Sequence, residues 1–153
     1  MEIILDKSRK LLQHHEGLKL ELYRCTADKQ TIGFGHNLTD RGISRAVAEI
    51  IFEADYDEAF ADASKVVKNF RSLSSPRSSV LVNMSFQLGS GGLRSFKKFI
   101  AAVEAEDWGL ASYEMLDSKW AEQTPARAST LATMMRTNKW PNVPGIREES
   151  YYG

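Results

Sequence analysis

The segment EGLKLELYRCTADKQTIGFGH, residues 16–36, differs in pattern from the helical sequence on either side of it. From Leu20 to Phe34, apolar residues alternate with polar or small residues, and a polar run at 26–30 separates the two halves. Alternation on both sides of a polar turn predicts a β-hairpin. An isolated hairpin is marginally stable in water, so we expect this one to pack on other elements.

Apolar residues recur at helical spacing before and after this segment. We predict a first helix over residues 3–15 that Gly17 ends, and a long helix from Ser44 as its N-cap. Pro76 precedes a strongly apolar helix that we expect to be buried and to break at residues 89–92. Further helices are predicted at 96–103, at 108–116 and after Thr124-Pro125, where a threonine cap precedes proline, and an irregular tail at 141–153.

This order of elements predicts an α+β fold that is mostly helical and forms one domain over residues 1–153. The small hairpin lobe covers approximately residues 16–43, and a linking helix covers approximately 44–68. The helical lobe covers approximately 75–140, and we assign the N-terminal helix to it.

Charge and composition exclude several classes of protein. The chain has 20 basic and 20 acidic residues, so no net field favours nucleic acid or an anionic membrane. A single cysteine rules out an intrachain disulfide, no apolar run is long enough to span a bilayer, and the N-terminus has no signal-peptide pattern. No residue stands at metal-ligand spacing from His36. We expect a monomer with no metal and no cofactor that neither binds nucleic acid nor inserts into a membrane.

Glu16, Cys25 and Thr31 are candidates for cleaving a glycosidic bond. Such cleavage needs a proton for the leaving oxygen and a group that meets the oxocarbenium-like centre. Glu16 follows an apolar helix and faces the hairpin, and a partly desolvated carboxyl group keeps its proton at neutral pH. If the turn centres on Asp28, Cys25 and Thr31 are cross-strand neighbours on one face. Thr31 would hold a water, and Cys25 would orient it or act as a nucleophilic thiolate.

Each candidate also has a purely structural interpretation. A glutamate before a glycine is usually a solvated helix end, a free cysteine is usually a small buried apolar residue, and a threonine favours strands. Gly33 and Gly35 either let a ligand approach the backbone or form a bend in the hairpin. His36 is a possible base. The residues taken one at a time favour the structural interpretations.

Four motifs in order give a more specific indication. Residues 16–23 (EGLKLELY), Cys25 and residues 31–36 (TIGFGH) resemble the active-site segment of phage lysozymes of the T-even type, glycoside hydrolase family 24. In that family a Glu is followed after eight residues by Asp or Cys, and after five more by Thr. The resemblance continues at 83–89 (NMSFQLG), 118–120 (SKW), 123–128 (QTPARA), 136–137 and Trp140, and it covers most of residues 8–140.

The resemblance implies an endolysin, or muramidase, that hydrolyses the β-1,4 bond between N-acetylmuramic acid and N-acetylglucosamine in peptidoglycan. It implies that Glu16 is the general acid and that Thr31 positions the attacking water. Cys25 would assist at the anomeric carbon or hold that water. Arg127 matches the family arginine that pairs with the catalytic Glu.

The resemblance also suggests residues that line the substrate cleft. Phe86 and Gln87 match cleft positions on the C-terminal lobe. Asn37 and Leu38, after the His36 motif, would line the other side, although the T-even enzyme has a leucine in place of Asn37. Phe99 and Glu114 likewise stand where that enzyme has small or amide residues lining the cleft, so its sugar contacts at these positions do not carry over unchanged.

The stereochemical outcome depends on the charge of Cys25. An unperturbed thiol has a pKa of about 8.5, so a few per cent is thiolate at neutral pH. An ionised Glu16 nearby would raise the pKa of Cys25 further. We therefore favour inversion, in which water held by Thr31 and Cys25 attacks opposite Glu16. The alternative is a covalent thioglycosyl intermediate with retention.

The implied partner is the glycan strand of peptidoglycan. The enzyme would accumulate in the host cytoplasm and act in the periplasm or cell wall after a holin has permeabilised the membrane. A glycan-binding module without catalysis is the main alternative, and an enzyme acting on chitin is a closer one. A helical nucleic-acid- or protein-binding domain that uses the helix from Ser44 is disfavoured by the zero net charge.

Overall fold

The structure, a computed structural model, describes the backbone of residues 2–146 and the side chains of residues 6–146. This part of the chain is mostly helical and contains a small three-stranded antiparallel sheet near its N-terminus. The predicted α+β lysozyme-like fold is therefore confirmed. The chain divides into two compact units, Met1–Ile51 and Phe52–Gly153, called here the first and second units. Within residues 2–146, no helix is both long and apolar enough to cross a membrane.

The first unit contains the predicted N-terminal helix and the hairpin. Gly17 ends the helix as expected, since it has a φ of +70° and its N–H donates to the carbonyl of Gln13 at 2.9 Å. The elements are α1 (Glu2–Glu16), β1 (Lys19–Arg24), β2 (Gln30–Gly33), β3 (His36–Asn37), α2 (Leu38–Arg41) and the beginning of α3 (Arg45–Val66).

The hairpin turn lies one residue earlier than predicted. Its loop has three residues and ends at Asp28, which has a φ of +58°. The Cys25 N–H donates to the Lys29 carbonyl at 3.0 Å, which closes the loop. Tyr23, rather than Cys25, therefore lies directly opposite Thr31. The prediction that Cys25 and Thr31 pair across the strands is wrong, because a left-handed third residue favours a three-residue loop.

Strand β3 and helix α2 were not predicted. Thr31 pairs with Asn37 across a tight loop in which Gly33 and Gly35 both have positive φ, so these glycines form the bend that we considered for them. Asn37 then caps α2, since its Oδ1 accepts the Asp40 N–H at 3.0 Å. Two-residue strands and single helical turns are too short to produce a hydrophobic period, which is why the sequence pattern did not reveal them.

The long helix α3 begins as expected. The Ser44 hydroxyl accepts the N–H of Val47 at 3.3 Å, which confirms Ser44 as the N-cap. The helix ends at Val66, two residues before the predicted limit, and it runs across the boundary between the two units.

The second unit contains the apolar core. Every buried apolar side chain among residues 6–146 lies between Ala59 and Met135. The predicted buried helix is confirmed, because α4 contributes Leu81, Met84 and Leu93 to this core. The elements after α3 are a 3₁₀ turn at Phe70–Ser72, α4 (Ser75–Ser95), α5 (Lys97–Glu104), α6 (Trp108–Leu116), α7 (Lys119–Gln123) and α8 (Pro125–Thr137).

The predicted break in α4 is shorter than expected. Only Gly89 leaves helical geometry, with φ 73° and ψ 170°, and the helix continues to Ser95. A single glycine is enough to interrupt the helical geometry, because glycine adopts a positive φ without a steric penalty.

The start of α8 is correctly placed, but its cap differs. Pro125 is its first residue, whereas the Thr124 hydroxyl donates to the Trp120 carbonyl at 3.0 Å and does not cap the helix. The preceding helix α7 was not predicted. Residues 141–146 are irregular as expected, and residues 147–153 of the predicted tail lie outside the described residues.

Candidate active site

Glu16 is held at the point where α1 ends. Its carboxyl group lies against Gly35, since a Cβ at position 35 would collide with Glu16 Oε2 and come within 3.0 Å of Cδ. Gly35 also has a φ of +72°, so both space and backbone geometry favour glycine there. The Glu16 side chain therefore contacts the loop between β2 and β3, and it is exposed rather than partly desolvated.

Cys25 lies in an environment that favours an anion. The backbone N–H of Lys29, followed by that of Ala27, lowers the pKa of the Cys25 thiol below its ordinary value. The Thr31 hydroxyl lowers this pKa further, while partial desolvation opposes the shift. We expected an ionised Glu16 nearby to raise this pKa, but the structure gives the opposite direction, because the N–H groups of the turn favour the thiolate. A thiolate or a carboxylate at position 25 would be stabilised in the same way.

Thr31 is the buried member of the candidate set. It is 3% exposed, and its hydroxyl donates to the Lys29 carbonyl at 2.9 Å. A hydroxyl has one proton and two lone pairs, so Thr31 gives its proton either to this carbonyl or to a Cys25 thiolate. In both cases its oxygen accepts a further hydrogen bond, which is what a group that holds water requires.

Polar contacts tie the hairpin to α2. Lys29 Nζ lies 2.9 Å from Asp40 Oδ1, and the Gln30 N–H donates to the Thr39 hydroxyl at 2.9 Å. Lys29, and secondly the Asn37 amide, hold the pKa of Asp40 below its usual value. These contacts fix the turn whose N–H groups point at Cys25.

The residues after the glycine loop serve local structure. His36 Nε2 lies 2.6 Å from the Gly42 carbonyl, and since a carbonyl oxygen only accepts, this nitrogen carries a proton. The Asn37 side chain caps α2, and Leu38 begins that helix half-buried. A Cβ on Gly33 would meet nothing within 4 Å, so its role is the left-handed bend.

In the second unit, Arg127 is oriented by one asparagine. Its Nε donates to Asn83 Oδ1 at 2.8 Å and its Nη2 to the Asn83 carbonyl at 3.3 Å. Both residues line a cavity of about 230 Å³ together with Phe86. The guanidinium group is thus held at the wall of a cavity and remains exposed.

The other expected cleft residues of this unit differ in burial. Gln87 is exposed, and its Oε1 accepts the indole N–H of Trp120 at 2.9 Å. The ring of Phe86 packs 5.8 Å from that of Phe52. Phe99, in contrast, is 1% exposed and belongs to the apolar core, so it is unsuited to contact a sugar.

Sequence reasoning gave no role to Lys29, Asp40 or Asn83. A usable signal was present for Asp40, because an Asn cap followed three residues later by an acid resembles a capping box. Asn83 lies within the NMSFQLG motif, but no neighbouring residue indicates that it binds an arginine 44 residues away.

Comparison with known proteins decides the family. A family model described as "Phage lysozyme" matches residues 13–139. The chain belongs to the phage lysozyme family. This membership identifies it as a lysozyme-type glycoside hydrolase, and the matched span includes every candidate site residue from Glu16 to Arg127.

Relatives of different length share this region. "Probable T4-type lysozyme 2" of Dictyostelium discoideum is 29% identical over 156 residues, which cover 83% of this chain and 92% of that protein. "Pre-baseplate central spike protein Gp5" of Enterobacteria phage T4 is 29% identical over 155 residues, 83% of this chain and 27% of that protein. "Peptidoglycan hydrolase gp36" of Pseudomonas phage phiKMV is 28% identical over 133 residues, 83% of this chain and 15% of that protein. The lysozyme region therefore occurs alone and within longer proteins.

Proposed function

We propose that this chain is an endolysin that hydrolyses the β-1,4 bond between N-acetylmuramic acid and N-acetylglucosamine in peptidoglycan, and so lyses the host cell. Family membership and the peptidoglycan hydrolase relative support this substrate. The observation that supports the proposed mechanism most is the space that Gly35 leaves for the Glu16 carboxyl group. That space lies in the loop between β2 and β3, which follows the strand that carries Thr31, while the turn of Cys25 precedes that strand.

Glu16 is the proposed general acid. It gives its proton to the glycosidic oxygen as the bond to the anomeric carbon breaks, and it becomes a carboxylate. Contact with Gly35 limits the orientations of the carboxyl group. Arg127 is the proposed partner of this carboxylate, and Asn83 orients its guanidinium group.

Cys25 and Thr31 act on the water. The Thr31 oxygen accepts a hydrogen bond from one O–H of the attacking water, and this O–H is kept in the product. The Cys25 thiolate takes the proton of the other O–H as the new C–O bond forms. The lowered pKa of Cys25 raises the fraction of thiolate at neutral pH, which supports this role. It equally supports the alternative, in which the thiolate attacks the anomeric carbon and water later hydrolyses the thioglycoside.

The anomeric configuration of the first product separates these mechanisms. Inversion of the β-linked substrate releases an α product, and retention releases a β product, so NMR at early time points distinguishes them. We expect the α product. A β product would contradict the inverting mechanism and favour the retaining alternative.

Digestion of purified peptidoglycan tests the function itself. We expect soluble muropeptides whose reducing ends, identified by mass spectrometry, are N-acetylmuramic acid. N-acetylglucosamine ends would indicate the wrong bond, and binding without release would indicate a glycan-binding module. Chitin oligosaccharides in a parallel digest would reveal an enzyme of the closer chitin-cleaving type.

Host lysis also requires access to the wall. In the proposed role the enzyme accumulates in the cytoplasm and reaches peptidoglycan after a holin or a similar lesion opens the membrane. Gram-negative cells that express it should therefore keep their turbidity until chloroform is added. Lysis without any permeabilisation would contradict the dependence on a lesion.

A further inference from the structure

Trp120 holds one end of the Gln87 amide group. The indole N–H of Trp120 donates to Gln87 Oε1 at 2.9 Å. Because an indole N–H only donates, the amide atom that faces it is the oxygen. Gln87 is exposed on α4, whereas Trp120 is 5% exposed. The contact with Trp120 therefore leaves the Nε2 group of Gln87, with its two N–H donors, to meet a ligand.

The indole ring is held by a row of aromatic side chains. Phe96 packs edge-to-face against Trp120, with ring centroids 6.0 Å apart and planes at 87°. Phe96 also packs edge-to-face against Phe99, which belongs to the apolar core. Aromatic pairs prefer this arrangement, which adds to the stabilisation from burial. The packing of the second unit therefore determines the direction of the indole N–H.

The backbone of Trp120 is held within α7 as well. Ser118 Oγ accepts the Ala121 N–H at 3.1 Å and so caps the helix. The Thr124 hydroxyl donates to the Trp120 carbonyl at 3.0 Å. Ring and backbone of Trp120 are thus fixed by contacts that do not involve Gln87. The exposed amide of Gln87 therefore adopts the orientation that the indole requires.

An amide held in this way selects ligands by hydrogen-bond type. An unrestrained glutamine can turn its amide over and present either its oxygen or its nitrogen. If the Gln87 amide turned over, its N–H groups would face the indole N–H, and the buried indole would lose its acceptor. Gln87 therefore suits a ligand group that accepts, and it disfavours a group that only donates.

The proposed substrate and its modified form carry one group of each kind. Its sugars bear N-acetyl groups, whose carbonyl oxygen accepts, whereas loss of the acetyl group leaves an ammonium group, which only donates. We propose that Trp120 is a positioning residue that holds Gln87 as a donor to an N-acetyl carbonyl of the glycan. The site would then prefer N-acetylated strands to de-N-acetylated ones. This inference rests on the proposed function and on the expected place of Gln87 in the substrate cleft.

Binding of soluble, uncrosslinked glycan strands to the full chain tests this role. The strands are used in N-acetylated and in chemically de-N-acetylated form at about pH 6, where an amine carries a proton. Every protein carries Glu16→Gln, so that Kd is measured without hydrolysis. Trp120→Phe removes the N–H and keeps an aromatic ring. We expect it to lower the preference for N-acetylated strands by about three- to tenfold, the effect of one neutral hydrogen bond.

Trp108→Phe is the matched control for the loss of an indole. Trp108 lies in the same unit, and its ring contacts the Arg77 guanidinium group, 3.8 Å from the ring centroid. This variant should keep the preference of the parent protein. An equal loss of preference in both tryptophan variants would mean that general packing causes the effect, and it would overturn the proposal.

Gln87→Glu tests the same contact without altering the core. The carboxylate still accepts from the indole but has no N–H, so it should lose the N-acetyl contact and gain one to the ammonium group. We expect the preference to fall by about tenfold or more, since charge-assisted hydrogen bonds are stronger than neutral ones. An unchanged preference in this variant would contradict the proposal. So would a loss in Trp120→Phe that occurs only with strands that carry stem peptides, because the acceptor would then be a peptide carbonyl.

Hydrolysis by the same proteins with Glu16 restored separates this inference from the proposed function. If the wild-type chain binds N-acetylated strands selectively but releases no muropeptides, the proposed function is wrong and the role of Trp120 stands. If muropeptides are released and Trp120→Phe keeps the wild-type preference, the role of Trp120 is wrong and the proposed function stands. Strands that do not bind at millimolar sugar concentration would contradict both.

Discussion

The two units of this chain are stabilised in different ways. Among residues 6–51, Thr31 is the only buried side chain, and Leu20 is 79% exposed. In the second unit a continuous apolar core extends from Ala59 to Met135. The first unit depends on caps and polar links such as the pair of Lys29 and Asp40. The proposed acid and water-binding residues therefore lie where local hydrogen bonds, rather than apolar packing, determine geometry.

This difference has a consequence for substitutions. In the second unit, removing a buried side chain should affect the stability of the whole unit. In the first unit, exposed positions should affect activity with little loss of stability.

The largest effect is expected for Glu16→Gln. Loss of a general acid lowers the rate by about 10²–10⁴-fold, or roughly 3–5 kcal/mol in activation free energy. Since the side chain is exposed and the change is isosteric, the melting temperature should stay the same. Turbidity loss of chloroform-treated Gram-negative cells measures the rate.

Glu21→Gln is the matched control for this change. It alters an exposed glutamate on β1 and should keep the rate near wild type. If the Glu16 variant lysed cells as fast as the wild-type enzyme, Glu16 would not be the acid.

A pair of leucine truncations tests the contrast in stability. Leu81 is 0% exposed in α4, so Leu81→Ala should lower the free energy of unfolding by about 3 kcal/mol. Leu20→Ala removes the same atoms from an exposed strand and should change it by less than about 0.5 kcal/mol. Urea denaturation gives both values. Equal losses would mean that the first unit also depends on apolar burial.

Two glycine substitutions separate backbone strain from contact with the acid. Gly33→Ala and Gly35→Ala both place alanine at positive φ, at a cost of about 1 kcal/mol each. Only the second brings a Cβ against the Glu16 carboxyl group. We expect similar melting temperatures for the two variants but a much lower rate for Gly35→Ala. Equal rates would show that the position of Glu16 does not depend on Gly35.

Long patterns in the sequence predicted most of the fold. Ser44 and Gly17 each mark a helix end through a local backbone interaction that residue type alone reveals. The buried character of α4 followed from apolar residues on several faces. The short elements β3 and α2 were not predicted, because together they span six residues, too few for a hydrophobic pattern to repeat. The length of the hairpin loop was also predicted wrongly. It depends on the left-handed conformation of the single residue Asp28, which the hydrophobic pattern does not indicate.

The candidate site was predictable in composition but not in geometry. Motif spacing selected Glu16, Cys25 and Thr31, and the contact of Glu16 with the glycine loop agrees with the expected orientation toward the sheet. The one-residue shift of the turn moved Tyr23 opposite Thr31. The backbone N–H groups of Lys29 and Ala27 lower the pKa of Cys25, an effect opposite to the one expected from an ionised Glu16. Every residue except proline has a backbone N–H, so the sequence could not indicate which N–H groups would lower the pKa of Cys25.

The smallest effect concerns the ionisation of Cys25. The lowered pKa means that alkylation by iodoacetamide should reach its half-maximal rate at a lower pH than for an unfolded thiol. Thr31→Val removes one of the donors that lower this pKa and should move the midpoint of alkylation to higher pH.

Because the pKa is lower in the folded state, the thiolate stabilises the fold above the unfolded pKa of about 8.5, and this contribution is lost as pH falls through the folded value. Thr39→Val is the matched control for Thr31→Val in the alkylation experiment. It removes a hydroxyl of the same unit, one that accepts the Gln30 N–H, and should leave the midpoint unchanged. An unchanged midpoint in the Thr31 variant would mean that the backbone N–H groups alone set the charge of Cys25.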